Sequence, residues 1–402
     1  NSIGYRSTHY TEYDRGLCLI PSELIEFLKT SQPKEWDKLV GIYGPSTESK
    51  IIQRVSSEIS KRGVIDVLRN KIVDRGVYLN LTYFQPKSGL NPEHQQLYSK
   101  NIFTVSRQLH YSKVNENSID MVLFLNGIPL ITMELKNQLT GQNIGHSKHQ
   151  YMNDRDPKEP LLKFKRCVVH FGVDNNSVVM TTRLSGIKTK FLPYNRDLQN
   201  PPVEEGYRTK YLWEDVLTPN SVSDIIENFV HISKEKDEFF NEKTKKIDTK
   251  EYEILIFPRY HQLDLIRSFR KTLVEDGTGH NYLVQHTTGS GKSYSIGWLS
   301  HTLTSLYKTS GDTKRLFDTI IVVTDRTVLD DQLQRLIRSL QKVSGVVNPV
   351  VDGSKQLRQF LQDGKDIIIT TIQKFPHITD EISSLKQRSF AVIIDEVHSS
   401  QS

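Results

Sequence analysis

Asn281–Tyr294 reads NYLVQHTTGSGKSY, which is a short apolar stretch, a loop with two glycines, and a lysine and serine that open an apolar helical pattern. Gly289 and Gly291 would let the loop backbone approach phosphate groups closely, and the first N–H groups of the following helix would point at their negative charge. Lys292 can reach the β- and γ-phosphates of a nucleotide, and the Ser293 hydroxyl can bind Mg²⁺. The stretch therefore predicts a strand, a phosphate loop and a helix that bind ATP.

The phosphate loop departs from the strict motif at one position, because His286 stands where the first glycine is expected. A strand before the loop and a helix after it still favour a nucleotide site over a Gly-rich turn without a ligand. The residues of this loop that we predict to bind the nucleotide are Thr288, Gly289, Ser290, Gly291, Lys292 and Ser293.

An ATPase with such a loop also needs acidic residues at the end of a buried strand, where they hold Mg²⁺ and polarise the attacking water. The apolar run AVII at 391–394 leads directly into Asp395 and Glu396. We assign Asp395 to the Mg²⁺ ion and Glu396 to the water. A chance acidic pair on the surface is the alternative, and the apolar run before it argues against that.

The C-terminal half alternates between strand and helix patterns. Helices are predicted from Lys292 and Leu329, and strands at 281–285, 319–324, 366–371 and 390–394. Such alternation predicts a parallel α/β sheet. The preceding stretch 233–250 is almost entirely charged or polar, and we interpret it as a solvated helix or linker at a domain boundary. We place the two domains at 1–240 and 253–402.

Composition limits the class of protein. A formal net charge of +6 and 36% apolar residues fit a globular protein, and the mild basic excess is compatible with a polyanionic partner. Cys18 and Cys167 make neither a zinc pattern nor a disulfide framework, so a reducing cytosol is the expected compartment. No apolar run is long enough to cross a bilayer, and the sequence starts without a signal pattern, so we expect no membrane partner.

A second set of charged residues lies in the N-terminal half. Asp120 precedes Glu134-Leu135-Lys136, and Glu134 and Lys136 are two apart on a predicted strand, so they face the same side. Two carboxylates can bind Mg²⁺ while the lysine positions or activates a water that attacks a phosphodiester bond. The pattern D…ExK therefore predicts a nuclease site with Asp120 and Glu134 as metal ligands. A solvated strand edge is the alternative.

The register of the hairpin between these carboxylates tests the nuclease interpretation. Two apolar runs flank Asn126-Gly127, which is a strong signal for a two-residue β-turn. A regular two-residue hairpin would pair position 120 with position 133 and place Asp120 and Glu134 on opposite faces. A β-bulge or a three-residue loop would bring them to one face. A nuclease at this place therefore predicts a bulged or odd-length hairpin.

Several motifs of the C-terminal half, in their order and spacing, resemble the first RecA-like domain of superfamily 2 helicases and translocases. They are FPRYHQL with Gln262, the phosphate loop, VVTDRTVLDDQL from Val322, IIITTIQKF from Ile367, and DEVH from Asp395. This resemblance implies that Gln262 binds the adenine of ATP.

A D…ExK nuclease ahead of such a motor, together with the stretches NSIDMVLFLNGIPLITMELKN, FLPYN and YLWEDVL, resembles the HsdR restriction (R) subunit of type I restriction-modification enzymes. The resemblance implies a restriction-endonuclease-like domain with a mixed sheet and then a RecA-like domain with a parallel sheet. It also implies a cytoplasmic bacterial or archaeal enzyme that uses ATP and Mg²⁺ to translocate on double-stranded DNA and to cut unmethylated DNA. Its partners would be methyltransferase (M) and specificity (S) subunits.

The HsdR resemblance also assigns roles. Asp120, Glu134 and Lys136 would serve the nuclease, and the residues implied for the motor are Lys292, Ser293, Asp395 and Glu396. The second RecA-like lobe of such a motor is expected to lie outside this sequence. The polypeptide is therefore expected to bind ATP but to turn it over poorly.

Some assignments stay open. The family often carries Gln and, four residues on, Tyr after ExK, whereas here Ser147 lies four residues before Tyr151 and the nearest glutamine is Gln150. Tyr151 could serve the site or only pack. Either Glu12 or Glu48 could be a third carboxylate of the nuclease.

Two other functions are alternatives. One is a different helicase–nuclease fusion, although type III restriction subunits carry the nuclease after the motor. The other is an ATP-dependent DNA remodeller whose N-terminal half does not cut.

Overall fold

The computed structural model describes residues 3–87, 91–241, 246–287, 289–309, 312–324, 327–341, 345–375 and 388–395. They form two compact units. The first contains residues up to Pro86 and Pro92–Tyr260, and the second contains Lys87, Asn91 and the residues from His261 onward. Within the described part of the chain, no helix has both the length and the apolar character that crossing a membrane requires.

The first unit combines helices with a mixed sheet. Its helices are α1 (Pro21–Ser31), α2 (Pro33–Tyr43), α3 (Thr47–Arg62), α4 (Val64–Arg69), α5 (Pro92–Tyr98), α6 (Ile144–His149) and α7 (Pro219–Asp224). Its strands are β1 (Arg6–Thr8), β2 (Ile72–Asp74), β3 (Val77–Leu79), β4 (Phe103–His110), β5 (Ser118–Leu125), β6 (Ile128–Leu135), β7 (Val169–Val173), β8 (Val178–Thr181), β9 (Leu192–Pro193), β10 (His231–Asn241) and β11 (Lys246–Ile256).

The main sheet of the first unit has the order β1-β4-β5-β6-β7-β8-β9. The pairs β1/β4 and β6/β7 are parallel and the other neighbours are antiparallel. This agrees with the mixed sheet that the sequence predicts for the N-terminal half. The middle strands β5 and β6 carry the D…ExK residues, and Phe124 and Ile131 on them are buried. Burial of one such side chain contributes about 2 kcal/mol.

The hairpin β5–β6 is irregular in the way that the nuclease interpretation predicts. Leu125 pairs with Ile128 around a two-residue turn, but Phe124 pairs with Pro129 while Leu123 pairs with Ile131. Leu130 is therefore the extra residue of a β-bulge, which shifts the parity of every pair beyond it. The predicted bulged hairpin is confirmed. Proline has no N–H for the ladder, so Pro129 fits beside a bulge better than in a regular strand.

The turn of this hairpin depends on Gly127. Its φ is +75°, and a Cβ placed on it would lie 2.3 Å from the carbonyl oxygen of Ile20. The Gly127 carbonyl also accepts a hydrogen bond from the Ile20 N–H at 2.8 Å, so the turn is held against the start of α1.

We expect Gly127→Ala to lower the free energy of unfolding of the first unit by more than about 1 kcal/mol, since the left-handed conformation alone costs an L-residue that much. Chemical denaturation of the purified protein measures this. Gly76→Ala is the matched control, because Gly76 has a similar φ of +82° and open space around its Cβ position. Equal losses in the two variants would show that the contact with Ile20 adds nothing.

The charged segment 233–250 is not a linker or a helix, so this prediction is wrong. Residues on either side of its middle form the antiparallel pair β10/β11, a two-stranded sheet of its own. Lys234 stands opposite Glu253, and Lys236 opposite Glu251, with a 2.9 Å ion pair in the second case. Opposite charges across a ladder stabilise a hairpin. The described residues of the segment therefore form paired strands that belong to the first unit.

The segment that starts at Pro219 is helical, but its winding changes along its length. It consists of α7 followed by a π-helical stretch, Ile225–Phe229. Its apolar side chains Ile225, Ile226 and Phe229 are buried.

The second unit contains a parallel sheet with helices between its strands. Its elements are α8 (Tyr260–Asp276), α9 (Lys292–Leu303), β12 (Thr319–Thr324), α10 (Thr327–Leu340), β13 (Val347–Pro349), α11 (Ser354–Asp363), β14 (Ile367–Thr371) and β15 (Phe390–Ile394). The strand order is β13-β14-β12-β15, and all these pairs are parallel. The predicted parallel α/β sheet is confirmed, including the helix that starts at Lys292.

The strand predicted at 281–285, directly before the phosphate loop, is absent. Residues 281–287 have no regular secondary structure, and Leu283 is 86% exposed. Strand β15 pairs with β12 alone among the described strands, and its Val392 and Ile394 are about half exposed. An apolar run forms a strand only where a neighbouring strand pairs with it. The local sequence does not show which segments become neighbours.

Candidate functional site

The β-bulge brings two carboxylates together on one face of the sheet. Met121 stands opposite Met133, so Asp120 and Glu134, one position further from the turn, face each other across the ladder. Asp120 Oδ2 accepts a hydrogen bond from the Leu135 N–H at 2.8 Å. Because the carboxylates are fixed by regular strand backbone on both sides, their separation is set by the sheet rather than by flexible loops.

Lys136 completes this cluster. Its Nζ lies 3.3 Å from Asp120 Oδ2 and 3.8 Å from Glu134 Oε2, and its side chain is only 9% exposed. The three residues Asp120, Glu134 and Lys136, predicted from spacing alone, are thus brought within contact distance. We call them the carboxylate–lysine cluster.

The two carboxyl groups of the cluster differ in acidity. Burial raises the pKa of Glu134 to about 8, and the nearby Asp120 charge adds to this rise while Arg155 opposes it. Burial also acts to raise the pKa of Asp120, but the neighbouring Glu134 carboxyl, the Leu135 N–H and the Lys136 charge lower it below its ordinary value. Asp120 is therefore the more acidic of the two carboxyl groups.

The cluster fits a divalent cation such as Mg²⁺. The Oε2 oxygen of Glu134 is buried and accepts no hydrogen bond from the described residues. Mg²⁺ is commonly held by one or two carboxylates, with water and substrate phosphate completing its shell. No group of three or more Asp, Glu, His or Cys side chains suited to a metal occurs among the described residues. Within the cluster, Asp120 and Glu134 are the two carboxylates that would supply protein ligands.

Two residues near the cluster were missed by sequence reasoning. Arg155 Nε donates a hydrogen bond to Glu134 Oε1 at 2.7 Å, and Gln108 Nε2 donates one to Asp120 Oδ1 at 3.0 Å. Gln108 on β4 stands next to β5 in the sheet, whereas Arg155 comes from the segment that follows α6. No motif spacing connects either residue to D…ExK, so only the fold reveals them.

Tyr151, which could serve the site or only pack, lies in the buried core of the first unit. It is fully buried, and its hydroxyl lies 2.8 Å from Thr132 Oγ1, which in turn lies 2.7 Å from His170 Nδ1. Burial lowers the pKa of His170 to about 4, so this histidine is neutral. Gln150 lies in the π-helical stretch that follows α6, and its Oε1 is buried.

Neither Glu12 nor Glu48, the two candidates for a third carboxylate, has a contact with the described residues that supports this role. Glu48 at the start of α3 forms an ion pair with Lys29 Nζ at 2.6 Å, and Glu12 is exposed in a short 3₁₀ turn.

His146 is exposed, and its Nδ1 accepts a hydrogen bond from the Asn143 N–H at the start of α6. Its role is therefore to cap that helix.

The phosphate loop begins α9 as the motif requires. Gly289 and Gly291 have φ of +76° and +84°, a conformation that side chains with a Cβ rarely adopt. Lys292 and Ser293 occupy the first turn of the helix, and Ser293 is exposed. First-turn N–H groups and the positive end of a helix attract anions. Ser290 is buried, and Thr288 lies outside the described residues.

Gln262, at the start of α8, contacts this loop directly. Its Nε2 lies 3.2 Å from the Ser290 carbonyl oxygen and 3.1 Å from that of Gly291, and the side chain is 3% exposed. A Cβ on Gly291 would lie 2.5 Å from the same Nε2. Gln262 therefore packs against the backbone of the phosphate loop.

The acidic end of the second sheet is partly described. Asp395 directly follows β15, and its N–H donates to the Val323 carbonyl oxygen at 3.0 Å, which continues the parallel pairing with β12. Asp395 thus lies at the carboxyl end of the sheet, where parallel α/β folds bind ligands. Glu396, the predicted water-polarising residue, lies outside the described residues.

Comparison with known families assigns the two halves separately. Residues 49–188 match the N terminus of the type I restriction enzyme R protein, and residues 261–402 match the SWI2/SNF2 ATPase family. The first match contains the carboxylate–lysine cluster, and the second contains Gln262, the phosphate loop and Asp395.

Curated relatives cover almost the whole chain. The type I restriction enzyme SauCOLORF180P endonuclease subunit of Staphylococcus aureus is 26% identical over 97% of this chain and 38% of its own length. The putative MjaVIIIP endonuclease subunit of Methanocaldococcus jannaschii is 23% identical over 90% of this chain and 35% of its own length. The HindI endonuclease subunit of Haemophilus influenzae is 26% identical over 70% of this chain and 26% of its own length.

The resemblance that the sequence motifs indicate is therefore confirmed along the chain. This chain spans little more than a third of the length of the staphylococcal relative.

Proposed function

We propose that this chain, similar to type I restriction enzyme R subunits over nearly its whole length, couples ATP-driven translocation on double-stranded DNA to Mg²⁺-dependent cleavage of unmethylated DNA. The observation that carries the proposal is the bulge in β5–β6, which gathers Asp120, Glu134 and Lys136 on one face. The SWI2/SNF2 ATPase match of residues 261–402 supports the motor.

In the proposed nuclease, Asp120 and Glu134 bind the cation and Lys136 acts beside them. A bound Mg²⁺ supplies Lewis-acid activation of the phosphodiester and lowers the pKa of bound water. Lys136, held between the two carboxylates, orients the attacking water and stabilises negative charge that develops on the phosphate. The low exposure of Glu134 and Lys136 strengthens these electrostatic effects, because they are weakly screened by solvent.

In the proposed motor, Lys292 and the loop N–H groups bind the phosphates, Ser293 and Asp395 hold Mg²⁺, and Glu396 polarises the attacking water. Gln262 would bind the adenine, and its contact with Ser290 and Gly291 supports a link between base binding and loop geometry. Such a motor would occupy a RecA-like domain that starts near residue 261, after a restriction-endonuclease-like domain that includes β10 and β11.

The proposed partners are double-stranded DNA and the M and S subunits of a cytoplasmic restriction complex. The names of the relatives support this assignment, since each is a type I restriction enzyme endonuclease subunit. The recognition sequence would then belong to another subunit of the complex.

A reconstitution tests the proposal. The full-length protein is mixed with its cognate M and S subunits and with circular DNA that is either methylated or unmethylated, with and without ATP and Mg²⁺. We expect cleavage only of unmethylated DNA and only when both ATP and Mg²⁺ are present. DNA-stimulated ATP hydrolysis without cleavage would instead indicate a remodeller, and cleavage without ATP would contradict the coupling.

A further inference from the structure

Arg155 contacts both strands that carry the proposed metal ligands. Its Nε donates to Glu134 Oε1 on β6 at 2.7 Å, and its Nη2 donates to the Ser118 carbonyl oxygen on β5 at 2.7 Å. Ser118 precedes Asp120 by two residues, so the guanidinium bridges the hairpin at the end opposite its turn. Arg155 thus connects the backbone near Asp120 with the carboxylate of Glu134.

The Arg155 side chain is buried. Its side chain is 5% exposed, and the guanidinium carbon lies 6.0 Å from the centre of the Tyr111 ring, which is itself buried. The residue immediately follows the π-helical stretch Gln150–Asp154 and has extended backbone angles. A planar guanidinium with fixed donors can hold two acceptors at once, which the single ammonium of lysine does less well.

The two oxygens of Glu134 have different surroundings because of this contact. Oε1 is occupied by Arg155, whereas Oε2 accepts no hydrogen bond among the described residues and lies 3.8 Å from Lys136 Nζ. Arg155 therefore turns Oε2 toward Asp120 and Lys136. Without the guanidinium, the buried Oε1 would lose the donor that holds it in this orientation.

From this geometry we propose that Arg155 is a positioning residue of the nuclease, one that orients Glu134 so that Oε2 and Asp120 form the divalent-cation site. The inference rests on the proposed nuclease function. Residues that orient metal ligands typically change metal affinity by about 10- to 100-fold when they are replaced.

The test measures metal binding as well as cleavage. Mn²⁺ binding to the nucleotide-free full-length protein is titrated by calorimetry, and the Mg²⁺ concentration for half-maximal DNA cleavage is determined in the assembled complex. We expect Arg155→Met to weaken Mn²⁺ binding and to raise the Mg²⁺ requirement by about 10-fold or more. Arg155→Lys should fall between this variant and the wild type, and ATP hydrolysis should be unchanged in both.

Arg166→Met is the matched control for a merely structural effect. Arg166 is another buried arginine of the first unit, and its Nη2 donates to the carbonyl oxygens of Leu17 and Cys18. The Arg166→Met substitution should lower the thermal unfolding midpoint of the protein and leave its Mn²⁺ affinity at the wild-type value.

Three outcomes would overturn the inference. One is wild-type Mn²⁺ affinity and Mg²⁺ requirement in folded Arg155→Met and Arg155→Lys. Another is the same change of affinity in Arg166→Met. The third is a wild-type protein that neither binds Mn²⁺ nor cuts, which would remove the proposed nuclease itself.

Discussion

Replacing Lys136 by alanine is expected to lower DNA cleavage by the assembled complex by about 10²- to 10³-fold, the loss that follows removal of one charge-stabilising group from an active site. The reason is the location of Lys136 Nζ, 3.3 Å from Asp120 and 3.8 Å from Glu134 on a nearly buried side chain. ATP hydrolysis and translocation should be unchanged, because the motor residues belong to the other compact unit. Cleavage of circular DNA and ATP hydrolysis are measured in parallel.

Lys158→Ala is the matched control for Lys136→Ala. Lys158 lies in the same unit and is exposed, so its removal changes the net charge equally without touching the cluster. We expect it to cut DNA at the wild-type rate. Normal cleavage by Lys136→Ala would show that the carboxylate–lysine cluster is not the nuclease.

Replacing Lys292 by alanine is expected to lower ATP hydrolysis by at least about 10²-fold, the loss that follows removal of one charge-stabilising group from an active site. Lys292 lies in the first turn of α9, directly after Gly291 of the phosphate loop. ATP-dependent cleavage should be lost as well, since translocation precedes it in the proposed function. DNA-stimulated phosphate release and ATP binding to the full-length protein measure the effect.

Lys308→Ala is the control for Lys292→Ala, because Lys308 is an exposed lysine of the same unit outside the phosphate loop. The two variants Lys136→Ala and Lys292→Ala together separate DNA cleavage from ATP hydrolysis. Lys136→Ala should retain ATP hydrolysis and lose cleavage, whereas Lys292→Ala should lose both. A Lys292→Ala variant that still hydrolyses ATP would refute the assigned role of the loop.

Local patterns of the sequence were sufficient to predict many of the turns, strands and helices. Asn126-Gly127 predicts the two-residue turn, and both residues have the positive φ that such a turn requires. The alternation of apolar runs and helical patterns predicts β12, β14, β15 and α9. These features depend on backbone preferences and side-chain periodicity within a few residues, so they can be read without knowing the rest of the fold.

Other features depended on partners that are distant in the sequence. The segment 233–250 looks like a solvated linker because its charges are unpaired along the chain, but across the ladder Lys236 meets Glu251. The run 281–285 is apolar enough for a strand, yet no described strand pairs with it. Both errors arise because a strand exists only through its pairing.

The sequence by itself determined the nature of the two sites: a glycine-rich loop for phosphates with Lys292, and two carboxylates with Lys136. It could also state the condition for the second site, which is a shift of parity in one hairpin. Only the tertiary structure decided that the bulge lies at Leu130 and that Arg155 holds Glu134. The physical reason is that spacing along a chain fixes which residues share a strand face, whereas register and buried charge pairs arise only when separate segments pack together.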